Sequence, residues 1–205
     1  NYADALRERS HEFMNKLHVI LGLLHLKSYK QLENYILKTA NNYQEEIGSL
    51  LGKIKSPVIA GFLLSKINRT SDLGHSLVIS NESQLPENNN EDQVAVLITV
   101  LGNLIENALE ALGQEPGGEI SISLHYRHGW LHCEVNDDGP GIAPENIEHI
   151  FEKGVSSKGT ERGVGLALVK QQVENVGGNI SVESEPGIFT QFFVQLPWNG
   201  ERASR

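Results

Sequence analysis

The sequence has little of what disulfide-linked, membrane-spanning or DNA-binding proteins need. Its 205 residues include one cysteine, Cys133, so no internal disulfide can form and a reducing compartment is expected. The longest apolar stretches, 58–64 and 94–101, are far shorter than the roughly 20 residues that cross a bilayer, so no direct membrane insertion is expected. Lys and Arg number 17 against 26 Asp and Glu, which argues against nucleic acid as a partner.

The sequence also lacks an initiating methionine and a secretory signal, and we therefore expect a fragment of a longer protein. Its hydrophobic content of 39% is enough for a packed core. Charge is unevenly divided along the chain. Residues 1–70 carry ten basic and six acidic side chains, a net +4, whereas residues 71–205 carry seven and twenty, a net −13. This asymmetry predicts two segments with different partners and a boundary near residue 70.

Residues 1–70 have the apolar periodicity of helices. One apolar stripe has three- and four-residue spacing, and a second alternates strictly between four and three, as in a coiled-coil seam. Pro57 stops or kinks the second helix, and a third is predicted over 58–68. Two amphipathic helices cannot bury both stripes alone, so we predict a hairpin that forms a homodimeric four-helix bundle through residues 1–55. The stripes consist of Leu6, Phe13, Leu17, Ile20 and Leu24, and of Ile36, Ala40, Tyr43, Ile47, Leu50 and Ile54.

Strand and helix patterns are mixed over residues 71–199. Asn90 can cap a helix that begins with Glu91 and Asp92 and ends at Gly113. Period-two alternation predicts strands over 77–79, 120–126, 130–136, 180–185 and 189–196, and a further helix is predicted over 166–176. We therefore predict an α+β fold, with a helical hairpin over residues 1–70, an α/β-sandwich domain over 71–199 and a tail over 200–205.

The first polar cluster lies on the helix predicted before Gly113. Asn103, Glu106, Asn107 and Glu110 share one helix face at spacings of three, four and seven residues. Amide and carboxylate oxygens are the ligands that Mg²⁺ prefers in proteins. Taken alone, such a face is more often a solvated helix surface.

The second polar cluster, residues 137–142 (Asp-Asp-Gly-Pro-Gly-Ile), directly follows a predicted strand. A carboxylate at a strand end can accept a hydrogen bond from an exocyclic amine, and the glycines allow the backbone to approach a flat ligand. A plain turn is an equally good interpretation, because Asp, Gly and Pro all favour turns.

The third cluster is a loop with Gly154, Gly159, Gly163 and Gly165, which opens a helix. Such loops present backbone N–H groups and a positive helix end to phosphate. The pattern lacks the third glycine of a Rossmann fingerprint, and nothing in the chain matches a Walker P-loop. Residues 151–172 carry four basic and two acidic side chains, a local net +2 that suits a phosphate ligand.

The order of the three clusters resembles the ATPase domain of sensor histidine kinases, which belongs to a superfamily shared with gyrase, Hsp90 and MutL. The amide-rich helix, the Asp-x-Gly-x-Gly run, the segment after Phe151 and Gly163-x-Gly165 correspond to the N, G1, F and G2 boxes of that family. The resemblance implies ATP and Mg²⁺ as cofactors, with residues 151–165 as a mobile lid. Asn107 would ligate Mg²⁺.

The same resemblance implies a role for each residue around the nucleotide. Asn103 and Glu106 would lie beside the phosphates, Asp137 would bind the adenine amino group, and Thr190 would lie near the adenine. The full set implied around ATP is Asn103, Glu106, Asn107, Asp137, Gly139, Gly141, Ile142, Phe151, Lys153, Lys158, Gly163, Val164, Gly165, Leu166 and Thr190.

Residues 10–18 (Ser-His-Glu-Phe-Met-Asn-Lys-Leu-His) are similar to the H-E-F-x-N-x-L-H signature of the citrate and C4-dicarboxylate sensor kinases. On a helix, His11 lies about 120° from the centre of the apolar stripe, so we expect it to be exposed. The resemblance implies that His11 accepts a phosphoryl group and that Glu12 holds or accepts the other ring proton. It links Asn15 to dephosphorylation.

These similarities imply a histidine kinase core that autophosphorylates His11 from Mg·ATP. The phosphoryl group would pass to an aspartate of a response-regulator receiver domain in a two-component system, with fumarate or succinate as the sensed C4-dicarboxylate. The family's membrane helices and sensor domains are absent from this sequence. We therefore expect a soluble fragment, the cytoplasmic domain of an inner-membrane protein.

Two other functions compete with this interpretation. A non-catalytic, nucleotide-gated dimeric scaffold would have the same fold, but the presence of His11, Asn107 and Asp137 argues against it. A gyrase- or MutL-like hydrolase would need a helix glutamate four residues before the metal asparagine, where this chain has Asn103.

Histidine spacing raises the possibility of a metal site in two places. His11, His18 and His25 are seven residues apart, which separates them by about 10 Å along a helix, too far to share one zinc ion. His125, His128, His132 and Cys133 surround a predicted hairpin turn, and we expect them to be solvent-exposed turn residues rather than ligands.

Overall fold

The computed structural model describes Met14 and residues 17–39, 44–152 and 165–199. The chain divides into two compact units, Asn1–Gly48 and Ser49–Arg205. The α+β class predicted from the sequence is confirmed.

The first unit is helical in its described part. Residues 17–25 are helical, and α1 spans Tyr29–Thr39. The first helical segment ends before α1, where Lys27 has a φ of 54° and the Ser28 N–H donates to the Leu23 carbonyl. The two helical segments are thus separate, while the hairpin and its dimerisation stay predictions. Large apolar side chains exposed in this part are Met14, Val19, Leu21, Leu24, Leu26, Tyr29 and Ile36.

The second unit is a five-stranded sheet covered on one face by helices. After α2 (Gln44–Lys53), which begins before the division, the chain forms α3 (Pro57–Asp72), β1 (Ser76–Ile79) and α4 (Glu91–Leu112). It continues through β2 (Glu119–Arg127), β3 (Trp130–Asp137), α5 (Pro144–Ile147), α6 (Gly165–Asn175), β4 (Asn179–Glu185) and β5 (Phe189–Pro197). The strand order is β1-β2-β3-β5-β4; β1 is parallel to β2 and the other pairs are antiparallel.

The hydrophobic core lies between this sheet and α3, α4 and α6. Alternate strand residues are buried and their neighbours are partly exposed, as expected for a sheet with one covered face. The buried face of the central strands is formed by Ile120, Ile122, Leu124, Leu131, Cys133, Val135, Phe192, Val194 and Leu196.

The helix α4 is the central helix of this layer, and its ends agree with the sequence prediction. The Asn90 side chain accepts a hydrogen bond from the Gln93 N–H, and Gly113 ends the helix with a φ of 76°. By length and composition, α4 is the one helix among the described residues that could cross a membrane, with a mean hydropathy of 1.5. Core helices meet the same criteria, and Leu97, Val100 and Leu101 of α4 are fully buried in this core.

The end of α2 is bonded to the edge of the sheet. The Leu85 N–H donates to the Lys53 carbonyl, and the Lys55 N–H donates to the Leu85 carbonyl, each at 2.9 Å. The neighbouring Gln84 pairs in turn with His125 of β2. Residues 53–55 therefore continue the sheet beyond β2 through the 84–85 segment.

The division at Gly48 and Ser49 precedes the boundary predicted near residue 70, because α3 packs with the core of the second unit. Ile59 and Leu63 of α3 have no exposed surface and belong to the same cluster as Leu97 of α4. The predicted assignment of functions to residues 1–70 and 71–199 stays a prediction.

Candidate nucleotide-binding site

A row of polar side chains ends the buried face of the sheet. Asp137 of β3 is paired in register with Thr190 of β5, and Thr190 is paired with Ser184 of β4. Asp137 and Thr190 are only 4% and 5% exposed. All three belong to the alternating set that faces the core, so they stand where the apolar layer stops.

Asp137 is the one acid of this row, and its pKa departs from the usual value. Burial raises its pKa to about 6, the negative charge of Asp138 adds to this shift, and a 3.1 Å hydrogen bond from the Gly139 N–H opposes it. One oxygen, Oδ1, accepts that backbone bond. A buried carboxylate at a strand end can accept a hydrogen bond from a ligand amine once it is ionised.

Gly141 fits tightly against the turn between β4 and β5. Its φ is 68°, and a Cβ there would collide with the backbone carbonyl of Glu185. The Gly187 N–H donates to the Pro140 carbonyl at 2.7 Å, and the Ile142 N–H donates to Ser184 Oγ at 2.8 Å. These bonds attach the 137–142 loop to the β4–β5 hairpin. The Asp-x-Gly-x-Gly run is therefore held by tertiary contacts and is not an isolated turn.

Ser184 is a site residue that sequence reasoning missed. Its hydroxyl accepts from Ile142 N–H, donates to the Phe189 carbonyl at 2.7 Å and lies 3.4 Å from Thr190 Oγ1. A signal was present, because Ser184 continues the period-two series of Ile180 and Val182. A polar residue at the end of a buried series is a candidate for a site.

Helix α4 brings the three predicted clusters together. A Cβ on Gly139 would lie 3.5 Å from the Ala111 Cβ, and a Cβ on Gly165 would lie 2.8 Å from Asn103 Oδ1. The amide nitrogen of Asn103 donates to the Thr99 carbonyl at 2.8 Å, so its oxygen is directed toward the start of α6. The amide face of α4 therefore lies between the Asp137 loop and the glycine-rich loop.

The side-chain amide of Asn107 lies on the same face of α4. Its amide nitrogen is buried and has no hydrogen-bond partner among the described residues. Leaving a buried donor unpaired costs about 1–3 kcal/mol, and a ligand oxygen would remove that cost. The Asn103 and Asn107 amide oxygens are also hard ligands that fit a magnesium ion.

The Glu106 carboxylate is held by two cations of α3. Lys66 Nζ lies 2.5 Å from Oε1, and an Arg69 guanidinium nitrogen lies 2.9 Å from Oε2. Sequence reasoning missed both partners. Lys66 and Arg69 are three residues apart on α3, and this spacing indicates that they share a helix face. It does not indicate that Glu106 lies opposite that face.

Phe151 and Leu166 flank the start and end of the glycine-rich loop. Both pack against the core, and the Phe151 ring meets the Phe192 ring edge-on with centroids 6.4 Å apart. Lys170 Nζ lies 5.6 Å from the centroid of the Phe151 ring. The predicted lid is thus anchored at both ends, whereas Lys153, Lys158, Gly163 and Val164 lie outside the described residues.

The predicted phosphotransfer residues His11, Glu12 and Asn15 also lie outside the described residues. Within the described part, no cluster of three or more His, Cys, Asp or Glu side chains could hold a metal ion. Cys133 faces the core, where burial raises its thiol pKa to about 12, whereas His132 is on the opposite face of β3. The expectation that Cys133 is a solvent-exposed turn residue is therefore wrong, because alternate residues of β3 face the core.

Comparison with known proteins assigns a family to each part of the chain. Residues 92–200 match the family described as histidine kinase-, DNA gyrase B- and HSP90-like ATPase. Residues 1–51 match the alpha-helical domain of the SpoOB-type sensor kinases. The first match covers β2 to β5, nearly all of α4 and the glycine-rich loop, which are the elements that form the candidate site.

Individual relatives agree with these families. Sensor histidine kinase DcuS of Escherichia coli strain K12 is 85% identical over the whole chain, which spans 38% of that protein's length. Sensor protein CitS of Halalkalibacterium halodurans is 43% identical over 89% of this chain and 35% of its own length. The solved structure of full-length ShkA in complex with AMPPNP is 27% identical, with a TM-score of 0.55 over 70% of this chain and 30% of ShkA.

The similarity to citrate and C4-dicarboxylate sensor kinases predicted from the sequence motifs is confirmed by these relatives. The fold, the site on α4 and the matched families agree with one another. The chain belongs to the family of histidine kinase-, DNA gyrase B- and HSP90-like ATPases.

Proposed function

We propose that the chain is the catalytic core of a sensor histidine kinase that phosphorylates His11 from Mg·ATP. The observation that carries the nucleotide part is the buried Asp137 carboxylate above a glycine floor that is bonded to the β4–β5 hairpin. A carboxylate in this position accepts a hydrogen bond from the adenine amine, and Gly139 and Gly141 leave room for a flat base. Thr190 completes this end of the pocket.

The phosphate end of the nucleotide would lie along α4. Asn107 would ligate Mg²⁺ through its amide oxygen, and its unpaired N–H group is available to a phosphate or water oxygen. Gly165, whose Cα is close to Asn103, opens α6 and presents backbone N–H groups to the phosphates. Lys153, Lys158, Gly163 and Val164 belong to the same loop in the sequence. The magnesium ion would neutralise phosphate charge during transfer.

Transfer to His11 is a displacement at the γ-phosphorus. A neutral imidazole nitrogen supplies the electron pair for the new N–P bond, and the bond to the bridging oxygen breaks with its electron pair leaving on ADP. Glu12 accepts the proton of the other ring nitrogen. The match of residues 1–51 to a sensor-kinase helical domain supports His11 as the acceptor.

The downstream partner would be the receiver domain of a response regulator, whose aspartate takes the phosphoryl group from His11. The net +4 of residues 1–70 suits an acidic receiver pocket, since opposite charge steers association. The bundle over residues 1–55 would form the homodimer, and Asn15 would take part in dephosphorylation. The similarity to DcuS supports a C4-dicarboxylate sensor anchored in the inner membrane, with this chain on its cytoplasmic side.

Incubation with γ-labelled Mg·ATP tests this proposal. We expect protein-bound label that is acid-labile and base-stable, which is the signature of a phosphohistidine. The His11→Gln variant should lose this label, and His18→Gln, which changes an exposed histidine further along the same sequence segment, should keep it.

Three results would contradict the proposal. Full labelling of His11→Gln would exclude His11 as the acceptor. Release of free phosphate without protein label would indicate a hydrolase. Nucleotide binding with neither label nor phosphate release would indicate the nucleotide-gated scaffold.

A further inference from the structure

Three charged side chains form a cluster beside the Asn103–Asn107 face, and two of them, Lys66 and Arg69, have no assigned role. Lys66 and Arg69 of α3 both contact the carboxylate of Glu106 on α4, and we call these three residues the charge triad. The side chains of Lys66 and Glu106 are only 16% and 34% exposed, so water screens this contact less than a surface ion pair. Arg69, at 58% exposed, closes the triad from the solvent side.

Packing between α3 and α4 fixes the position of Lys66. Its Nζ lies 5.6 Å from the centroid of the Phe62 ring, and Phe62 in turn approaches Gly102, whose added Cβ would lie 3.6 Å from the ring. Gly102 immediately precedes Asn103 on the helix. The lysine is therefore held by the same helix contact that positions the first amide of the site.

The charge balance of the α4 face depends on this triad. Glu106 and Glu110 lie on the same face as the two asparagines, and alone they would place two negative charges beside a polyphosphate. Lys66 and Arg69 supply two positive charges and return the local sum to zero. Like charges separated by a few ångströms repel strongly in a partly buried site.

We propose that Lys66 and Arg69 are positioning residues that neutralise Glu106 and thereby allow the site to accept a polyphosphate. This inference rests on the proposed nucleotide function. The triad would then set how well the site tolerates negative charge on a ligand. The more negative the phosphate chain, the more its affinity depends on Lys66. The adenine end, at Asp137, does not depend on the triad.

Binding of AMP, ADP and ATP to the Lys66→Met variant tests the charge dependence. Methionine keeps an unbranched stem against Phe62 and removes the charge. We expect dissociation constants, measured by calorimetry with Mg²⁺ and again with EDTA, to rise about tenfold for ATP, less for ADP and under twofold for AMP. Lys53→Met is the matched control, because Lys53 bonds Asn81 away from the site and should change none of these values.

A second variant separates charge from packing. Adding Glu106→Gln to Lys66→Met removes the negative charge that Lys66 no longer balances and returns the local sum to zero, so the double variant should recover most of the ATP affinity of the wild type. Melting temperatures of the ligand-free proteins are measured alongside. Recovery of affinity without recovery of melting temperature is the signature of electrostatic control.

Several outcomes would overturn the inference. Unchanged ATP affinity in Lys66→Met, an equal loss for all three nucleotides, or failure of Glu106→Gln to restore binding would each reject it while the nucleotide function stands. Failure of the wild type to bind any adenine nucleotide would instead reject the proposed function and the inference with it.

Discussion

Gly141 lies so close to the backbone carbonyl of Glu185 that no side chain fits between them. This contact joins the loop after β3 to the turn between β4 and β5. The Gly141 φ of 68° is itself unfavourable for residues with a Cβ. Two separate constraints, space and backbone conformation, therefore require glycine at this position.

Gly141→Ala should destabilise the protein by about 2–4 kcal/mol and weaken adenine-nucleotide binding, because the loop must move away from the hairpin. Gly187→Ala is the matched control. Its φ is 80°, but an added Cβ would meet no atom within 4 Å, so only the conformational cost of about 1 kcal/mol is expected. Urea unfolding measures both changes, and equal losses in the two variants would contradict the steric argument.

Asp137→Asn should stabilise the ligand-free protein at neutral pH. Because the folded-state pKa of Asp137 is raised from 3.8 to about 6, its protonated form favours folding, and this contribution is lost as the pH rises through 6. The variant should gain on the order of 2–3 kcal/mol over the wild type at pH 7 and little at pH 4. Unfolding midpoints across this range measure the difference, and a gain that is constant with pH would contradict it.

The same carboxylate should make nucleotide affinity depend on pH. Only the ionised form accepts the hydrogen bond from the adenine amine, so affinity should fall as the pH drops through about 6. Asp137→Asn should bind weakly at every pH. Calorimetric titration with ADP between pH 5 and 8 measures this dependence, and wild-type affinity that is flat over this range would argue against Asp137 as the adenine ligand.

Asn107→Leu should raise the stability of the ligand-free protein by about 1 kcal/mol and abolish magnesium-dependent nucleotide binding. The substitution removes a buried amide nitrogen that has no partner within the described part of the chain, and also the proposed metal ligand. Thr70→Val is the control, because Thr70 Oγ1 is likewise buried with no hydrogen-bond partner in the described ranges but lies on α3, outside the proposed site. It should stabilise the protein and leave nucleotide binding unchanged. Loss of binding in both variants would indicate a general packing effect.

Trp198→Ala should cost about 3–5 kcal/mol of stability. Trp198 has no exposed surface, and its indole N–H donates to the Pro86 carbonyl at 3.3 Å, which holds the segment before α4. Trp130, 41% exposed at the start of β3, offers the comparison, and Trp130→Ala should cost much less. Thermal unfolding followed by circular dichroism measures both. Similar losses would contradict the role assigned to Trp198.

Local signals in the sequence were sufficient for most of the ATP-domain elements. Asn90 and Gly113 mark the two ends of α4 because a cap and a positive φ are properties of single residues. Strand alternation likewise identified β2 to β5, since one face of the sheet is buried. The short helix α5 was not predicted, because four residues after a proline show no periodicity.

Contacts between distant segments were not predictable in this way. The pairing of Lys66 and Arg69 with Glu106 joins residues about 40 positions apart, and each side chain alone is an ordinary surface charge. The bond from Ile142 to Ser184 is similar, because it depends on β3 and β4 being separated by β5 in the sheet. The order of the motifs indicated the family, while the connections between them required the structure.

The bonding of residues 53–55 to Leu85 has a mechanical consequence. Leu50 and Ile54 are buried in the core, and the N–H and carbonyl of Leu85 are both bonded to residues 53–55. A rotation of the end of α2 must therefore also move Leu85, Gln84 and β2, because residues 53–55 are bonded to this edge of the sheet. Any pivot that frees the preceding helical segment from the ATP domain must lie closer to the N-terminus than Leu50.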